Sequence, residues 1–304
     1  MINPILASSA RRRMRSVRTP LLVTVYVAVL FAFAYFYFFH GVAKPTVPIT
    51  QMRKGVETYA LLILLQFALL ILVAPAMTAG SIAGERERQT LDLLRVTNTG
   101  SLSIVLGKLL ESFGFLCLLV LSSMPVLCLL LITGGATFGQ IIISVSFLLL
   151  IALAALSVGL CASALCRRTL TATVVSYLVI FGLGVVTLTP IFVDVKKLGA
   201  IYDAASAANT YLQSVDYVPL SFVANPGLGL VALLYDQTRA EVVKSVFALV
   251  SQTLTATFHM LPFKQCYQYH MIFLGGFSGV LIALSAWFVR PNRRIQKMVK
   301  RKKA

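Results

Sequence analysis

Two stretches of the 304-residue sequence carry side chains whose types and spacing could do chemistry, and they imply different kinds of work. Gly276-Phe277-Ser278-Gly279 is a G-x-S-G string that offers a serine as a candidate nucleophile. Such a serine requires a base within hydrogen-bond reach. The three histidines are His40, His259 and His270, none of which follows Ser278, and eight helical residues separate His270 from it by about 12 Å. The second stretch is GSIAGERERQTLDLL at 80–94, where Glu85, Arg86, Glu87 and Arg88 place four alternating charges in one turn. Its chemistry is ionic: it offers a partner a dense, directional set of contacts. No G-x-x-x-x-G-K-[ST] phosphate loop occurs anywhere, so nucleotide hydrolysis is not this chain's own reaction. The five cysteines show no Cys/His metal spacing, so no metal site is expected; Cys117, Cys128, Cys161 and Cys166 read as small apolar packing residues, and Cys266 falls on the opposite side.

The elements that must position these residues follow from composition. With 58% hydrophobic and 12% charged residues and a mean hydropathy of +0.87, the chain is too apolar for a soluble domain of its length. A hydrocarbon core of about 30 Å needs roughly 20 apolar helical residues. Runs of that kind occupy Leu21–Phe39, Tyr59–Ala79, Ile104–Ile132, Phe138–Leu165, Thr169–Val193 and Met271–Val289. The sequence thus predicts an all-α integral membrane protein with six transmembrane helices. The first run is closed by AYFYFFHG, without a small-residue cleavage site, and reads as a retained span rather than a signal peptide.

Orientation follows from basic residues, which stay on the cytoplasmic side of span ends. Arg11, Arg12, Arg13, Arg15 and Arg18 precede the first span, and Arg290, Arg293, Arg294, Lys297, Lys300, Arg301, Lys302 and Lys303 follow the last. Both termini are therefore predicted cytoplasmic. The net charge of +17 is concentrated beside span ends, which suits anionic headgroups rather than nucleic acid. One transmembrane domain results: an interfacial arm at 1–20, spans one to five at 21–193, an extracytoplasmic loop at 194–268, span six at 269–289 and a basic tail at 290–304. No fused soluble domain is expected at either end, and no internal repeat is evident.

Between spans two and three, a short cytoplasmic helix is predicted over 84–96. Glu85 and Glu87 would sit at its start, facing the positive dipole end, with i,i+4 pairs from Glu85 to Gln89 and from Arg88 to Asp92. Leu91 and Leu94 would supply an apolar edge. Within 194–268, apolar residues from Val243 to Leu261 recur at helical spacing, which predicts an amphipathic or re-entrant helix. An eight-span alternative would make that run a crossing and add a second at 221–235, a short run broken by Pro226 and two glycines.

At this point the chain resembles a known family, the permeases of type-2 ATP-binding-cassette (ABC) transporters. The residues that carry the resemblance are NPIL…RRRMRSVRTP at 3–20, APAMTAGSIAGERERQTLDLLRVT at 74–97, IVLGKLLES at 104–112, SMPVL at 123–127, SVGLCASALCRRTLTATVVSY at 157–177 and FVRPNRR at 288–294. The loop at 194–268 has no residue-by-residue match. The resemblance implies a permease subunit of an exporter, with a second permease, identical or homologous, and two cytosolic ABC ATPase subunits that bind ATP and Mg. No cofactor would reside in this chain. It implies that Glu85, Arg86, Glu87, Arg88, Gln89, Leu91 and Leu94 form a coupling helix seated in the ATPase, and that the arm arginines meet headgroups or the ATPase. It also implies a bacterial cytoplasmic membrane. Apolar spans without central charges suit an amphipathic, peptide, drug or lipid-like cargo.

Other features have plain structural readings beside functional ones. Pro75 and Pro125 are tolerated kinks or hinges. Gly182, Gly184, Gly275 and Gly279 allow close packing within one subunit or at a dimer seam. Lys108 and Glu111 form a local ion pair, and Tyr26, Tyr35, Tyr37 and Tyr177 anchor at interfaces or line a pathway. Two other classes remain as alternatives. An ATP-independent carrier or channel would ordinarily place ionisable groups at mid-membrane. An intramembrane serine protease is suggested by the resemblance of Gly276–Gly279 to the rhomboid nucleophile motif.

Overall fold

The computed structural model describes residues 18–40, 48–90, 100–187, 223–238 and 263–290. All regular structure among them is helical: α1 (Arg18–His40), α2 (Pro48–Glu87), α3 (Ser101–Ser122), α4 (Met124–Ile132), α5 (Phe138–Leu165), α6 (Thr169–Thr187), α7 (Pro226–Thr238) and α8 (Phe263–Val289). Six stretches of the described residues are long and apolar enough to cross a membrane, and they coincide with the six predicted runs. Helices are the expected solution, because lipid cannot hydrogen-bond backbone groups and each span must satisfy its own.

The third span is not one helix. It breaks at Ser123 (φ −82°, ψ −10°), with Pro125 two residues further on, and resumes as α4. Pro125 cannot donate to the preceding turn. Ser123 helps close the break: its hydroxyl donates to the Val120 carbonyl (2.7 Å), and its oxygen receives Nε2 of buried Gln66 (2.6 Å).

α5 is the hub, packing most extensively on α2 and α8 and also on α3. Two small-residue contacts bring it against α2. A Cβ on Gly159 would overlap the Thr78 hydroxyl and come within 3.2 Å of the Pro75 Cα, so the kink residue of α2 lies directly on α5. Further along, Ser163 Oγ accepts the backbone N–H groups of Ile82 (3.0 Å) and Ala83 (2.9 Å). Pro75 is thus a packing element of the α2–α5 crossing. The turn before α5 is equally close, since a Cβ on Gly135 would overlap the Gly55 carbonyl.

α7 settles the number of crossings among the described residues. At 13 residues it is about 20 Å long, too short to span. It is nevertheless buried from Leu228 to Leu234, against α8, α5 and α2. Asn225 starts it: Oδ1 accepts the N–H groups of Gly227 (3.0 Å) and Leu228 (3.3 Å), and Nδ2 donates to Thr187 Oγ1 (3.0 Å) at the end of α6. The described part of the run at 221–235, from 223 on, therefore belongs to a buried half-helix rather than a further crossing. The amphipathic run at 243–261 lies outside the described residues.

Candidate functional site

The GERER block sits where four helix ends meet. α2 does not stop at the membrane edge and restart; it runs unbroken from Pro48 through Glu87, 40 residues or about 60 Å, twice the hydrocarbon thickness. Glu85 and Glu87 therefore lie at the negative end of a helix dipole, not at the start of a new helix as the sequence suggested. Carboxylates there are unfavourable by themselves. The structure compensates each one with a partner from another segment.

Glu85 Oε1 meets Lys108 Nζ of α3 at 2.6 Å, and both side chains are 20% exposed. Lys108, expected to pair locally with Glu111, instead joins the end of α2 to the first turns of α3. The other carboxylate oxygen, Glu85 Oε2, is buried without a hydrogen-bond partner. Arg86 reaches the last turn of α5, donating from Nη1 to the Cys166 carbonyl and from Nη2 to the Ala164 carbonyl, both at 3.0 Å. These belong to the C-terminal end of α5, where carbonyls lack intrahelical donors and a cation suits the dipole. Glu87 does the converse. Its Oε2 accepts the backbone N–H (3.3 Å) and hydroxyl (3.0 Å) of Thr169, placing an anion at the N-terminus of α6.

The helix then ends in a Schellman motif. Gln89 has φ 60°, its N–H donates to the Arg86 carbonyl (3.1 Å), and Thr90 N–H donates to the Glu85 carbonyl (2.9 Å). The predicted i,i+4 pairing of Glu85 with Gln89 inside a helix is therefore replaced by a chain reversal. Arg88 and Gln89 are exposed at its edge. Leu91, Leu94 and Asp92 lie outside the described residues, as do Arg11, Arg12, Arg13 and Arg15. Arg18 opens α1, but its side chain is likewise outside them.

Three of the four charges in the block thus bind this chain to itself, and none of their partners was visible in sequence except Lys108, assigned there to the wrong carboxylate. The Thr169 and α5 carbonyl contacts are tertiary and leave no local pattern. Gly182, Gly184, Gly275 and Gly279 have open space where a Cβ would stand, so they make no close contact with the described helices; Gly184 contributes its carbonyl to Asn225 instead. Among described glycines, the tightest approaches are Gly55, Gly135, Gly159 and Gly229, the last pressed against the buried His270 ring. His270 thereby faces α7, while the Ser278 hydroxyl donates to Gly275 of its own helix (2.9 Å). That arrangement does not build a serine–histidine pair. Tyr177 is tied to the Leu72 carbonyl (2.5 Å), and Tyr26 is buried in the core.

Charged groups of the described spans cluster at their ends: Arg53 with Glu57 at one end of α2 (3.4 Å), and the Glu85 junction at the other. No group of three or more metal-ligating residues occurs among the described residues. The fold defines a multi-pass membrane protein, in which the charged block joins four helix ends and leaves one edge exposed. The profile of the ABC-2 family transporter proteins matches residues 42–287, which covers most of the chain and every described span after α1; the chain belongs to that family and is a permease subunit of an ABC transporter. Membership implies association with ABC ATPases. Comparison with curated proteins finds no match.

Proposed function

We propose that this permease is driven by a separate cytosolic ABC ATPase through the Glu85–Thr90 junction, and that it exports an amphipathic, peptide, drug or lipid-like cargo across a bacterial cytoplasmic membrane. The observation that carries the reading is the convergence of α2, α3, α5 and α6 on one turn through Lys108, Arg86 and Glu87. A displacement applied to the exposed edge at Glu87–Gln89, or to the connection at 91–99, is passed to four spans together. A free solvated helix would instead swing on its own tether. In this reading ATP and Mg are bound by two partner ATPase subunits, and the chain works with a second permease, identical or homologous, for which Gly275 and Gly279 offer an open small-residue surface. Both termini lie in the cytoplasm, where the arm arginines meet headgroups or the ATPase.

The test is a Glu87→Ala/Arg88→Ala double variant in cells and in purified membranes. The coupling role predicts weakened ATPase copurification and transport lowered by about tenfold or more, with normal insertion. Unchanged association and transport would overturn it. The apolar spans carry their described charges near helix ends, which gives no support to a proton-coupled carrier.

A further inference from the structure

Apart from the junction, a cavity of about 600 Å³ lies among α2, α5, α6, the start of α7, and α8. Its walls include Phe67 and Ile71 of α2, Ala155 of α5, Phe181 of α6 and Phe277 of α8. The volume falls within the roughly 300–1,000 Å³ typical of small-ligand sites. The lining is almost wholly apolar, with Asn225 and Thr187 as its polar side chains.

Those two polar groups are already committed. Asn225 uses Oδ1 on Gly227 and Leu228 and Nδ2 on Gly184 and Thr187; the Thr187 hydroxyl also lies 2.6 Å from the Leu183 carbonyl. A polar ligand entering the cavity would shed water and find little in return, an unfavourable exchange. A hydrocarbon chain loses nothing by entering. Three wall residues also face outward, Leu72 at 55% and Phe181 and Val185 at 61% exposure, so the cavity borders the apolar perimeter that lipid covers. A chain can therefore reach it from within the bilayer.

We propose that this cavity is a binding site for the alkyl or acyl chain of an amphiphile. The proposal is independent of the coupling role, because chain binding is measured without nucleotide. The protein, in the assembly in which it purifies from membranes, is photolabelled with two probes. Phosphatidylethanolamine carrying a mid-chain diazirine reports a bilayer lipid as the source. A diazirine-bearing long-chain alcohol added from solution reports a free amphiphile. One or both are expected to label peptides containing Ile71, Ala155 or Phe277, and the pattern between the probes assigns the source. Ala68→Trp fills the cavity from an exposed wall position and is expected to lower that label about tenfold, with labelling at outward-facing Ile272 retained. Phe277→Ala enlarges the cavity and is expected to keep the Ile71 and Ala155 label, which separates filling from misfolding. Label confined to lipid-facing positions such as Ile272, an Ala68→Trp protein labelled like the native one, or loss of the label in Phe277→Ala would overturn the proposal.

Discussion

The two ends of α5 are held by different chemistry. At the Phe138 end the fasteners are neutral: the Tyr59 hydroxyl lies 2.9 Å from Ser144 Oγ and 3.2 Å from Gln237 Oε1, and Gln140 Nε2 donates to the Gln237 carbonyl at 2.8 Å. Thr137 and Gln140 add a capping box, with Gln140 Oε1 accepting Thr137 N–H at 2.8 Å. At the Leu165 end the fasteners are ionic, and their outer edge at Glu87–Thr90 is exposed. Both ends tie α5 to α2, yet only the ionic end carries its bonds onward to α3 and α6. The neutral end brings in the half-helix α7 instead. A neutral lock fixes where helices sit, whereas a junction with charged side chains on its exposed rim also gives an outside protein something to grip.

The comparison breaks most completely if the shaft between the two ends is disrupted. Gly159→Leu should prevent folded, membrane-inserted protein from accumulating, because its Cβ alone meets Thr78 and the Pro75 backbone; the loss of overpacked crossings is commonly about 1–3 kcal/mol and larger when backbone must move. Yield of monodisperse protein after detergent extraction measures it. Arg86→Ala comes next, since it leaves the α5 carbonyls without their donors beside Glu85 and Glu87. A loss of about 2–3 kcal/mol is expected, read as a lower thermal midpoint. Arg86→Lys should recover only part of it, because an ammonium cannot span both carbonyls with a planar fork.

Gln237→Ala tests the neutral end. It removes the side-chain contacts to Tyr59 and Ser144 but spares the Gln140 bond to its backbone, so about 0.6–2 kcal/mol is expected. Transport coupling should survive this change in proportion to folded protein, unlike a change at the ionic end. The smallest effect sharpens the comparison in the opposite direction. Gln89→Gly relieves a left-handed backbone and should stabilise the Schellman turn by about 1 kcal/mol or less, after the flexibility it adds to the unfolded chain is offset.

Much of this architecture was legible in the sequence, for a physical reason: in lipid, length and apolarity alone specify a span. The six runs therefore matched, although α2 extends well past its apolar stretch through Glu87 and the third span breaks at Ser123. The GERER block stood out in the sequence, but the direction of its helix was misread. Acidic residues after a span suggest a new helix start; they end an old one here because Lys108 and Thr169 arrive from elsewhere to meet them. Such contacts join residues 23 to 82 positions apart, and no local periodicity encodes them. The same holds for the glycines. The G-x-x-x-G spacing at Gly275 and Gly279 was visible but faces open space, while Gly159, flanked four residues away by Ala155 and Ser163 rather than by glycine, makes the tight crossing.

The central claim is that the exposed rim of the ionic junction is what the ATPase holds. A cysteine at Arg88, in a chain whose native cysteines are replaced, tests it directly through photo-crosslinking and impermeant maleimide labelling on intact cells. The account predicts a cross-link from residue 88 to a copurifying ATPase, changed in yield by ATP, and no maleimide reaction until the membrane is opened. Rapid labelling from the external medium, with no cross-linked ATPase, would contradict it.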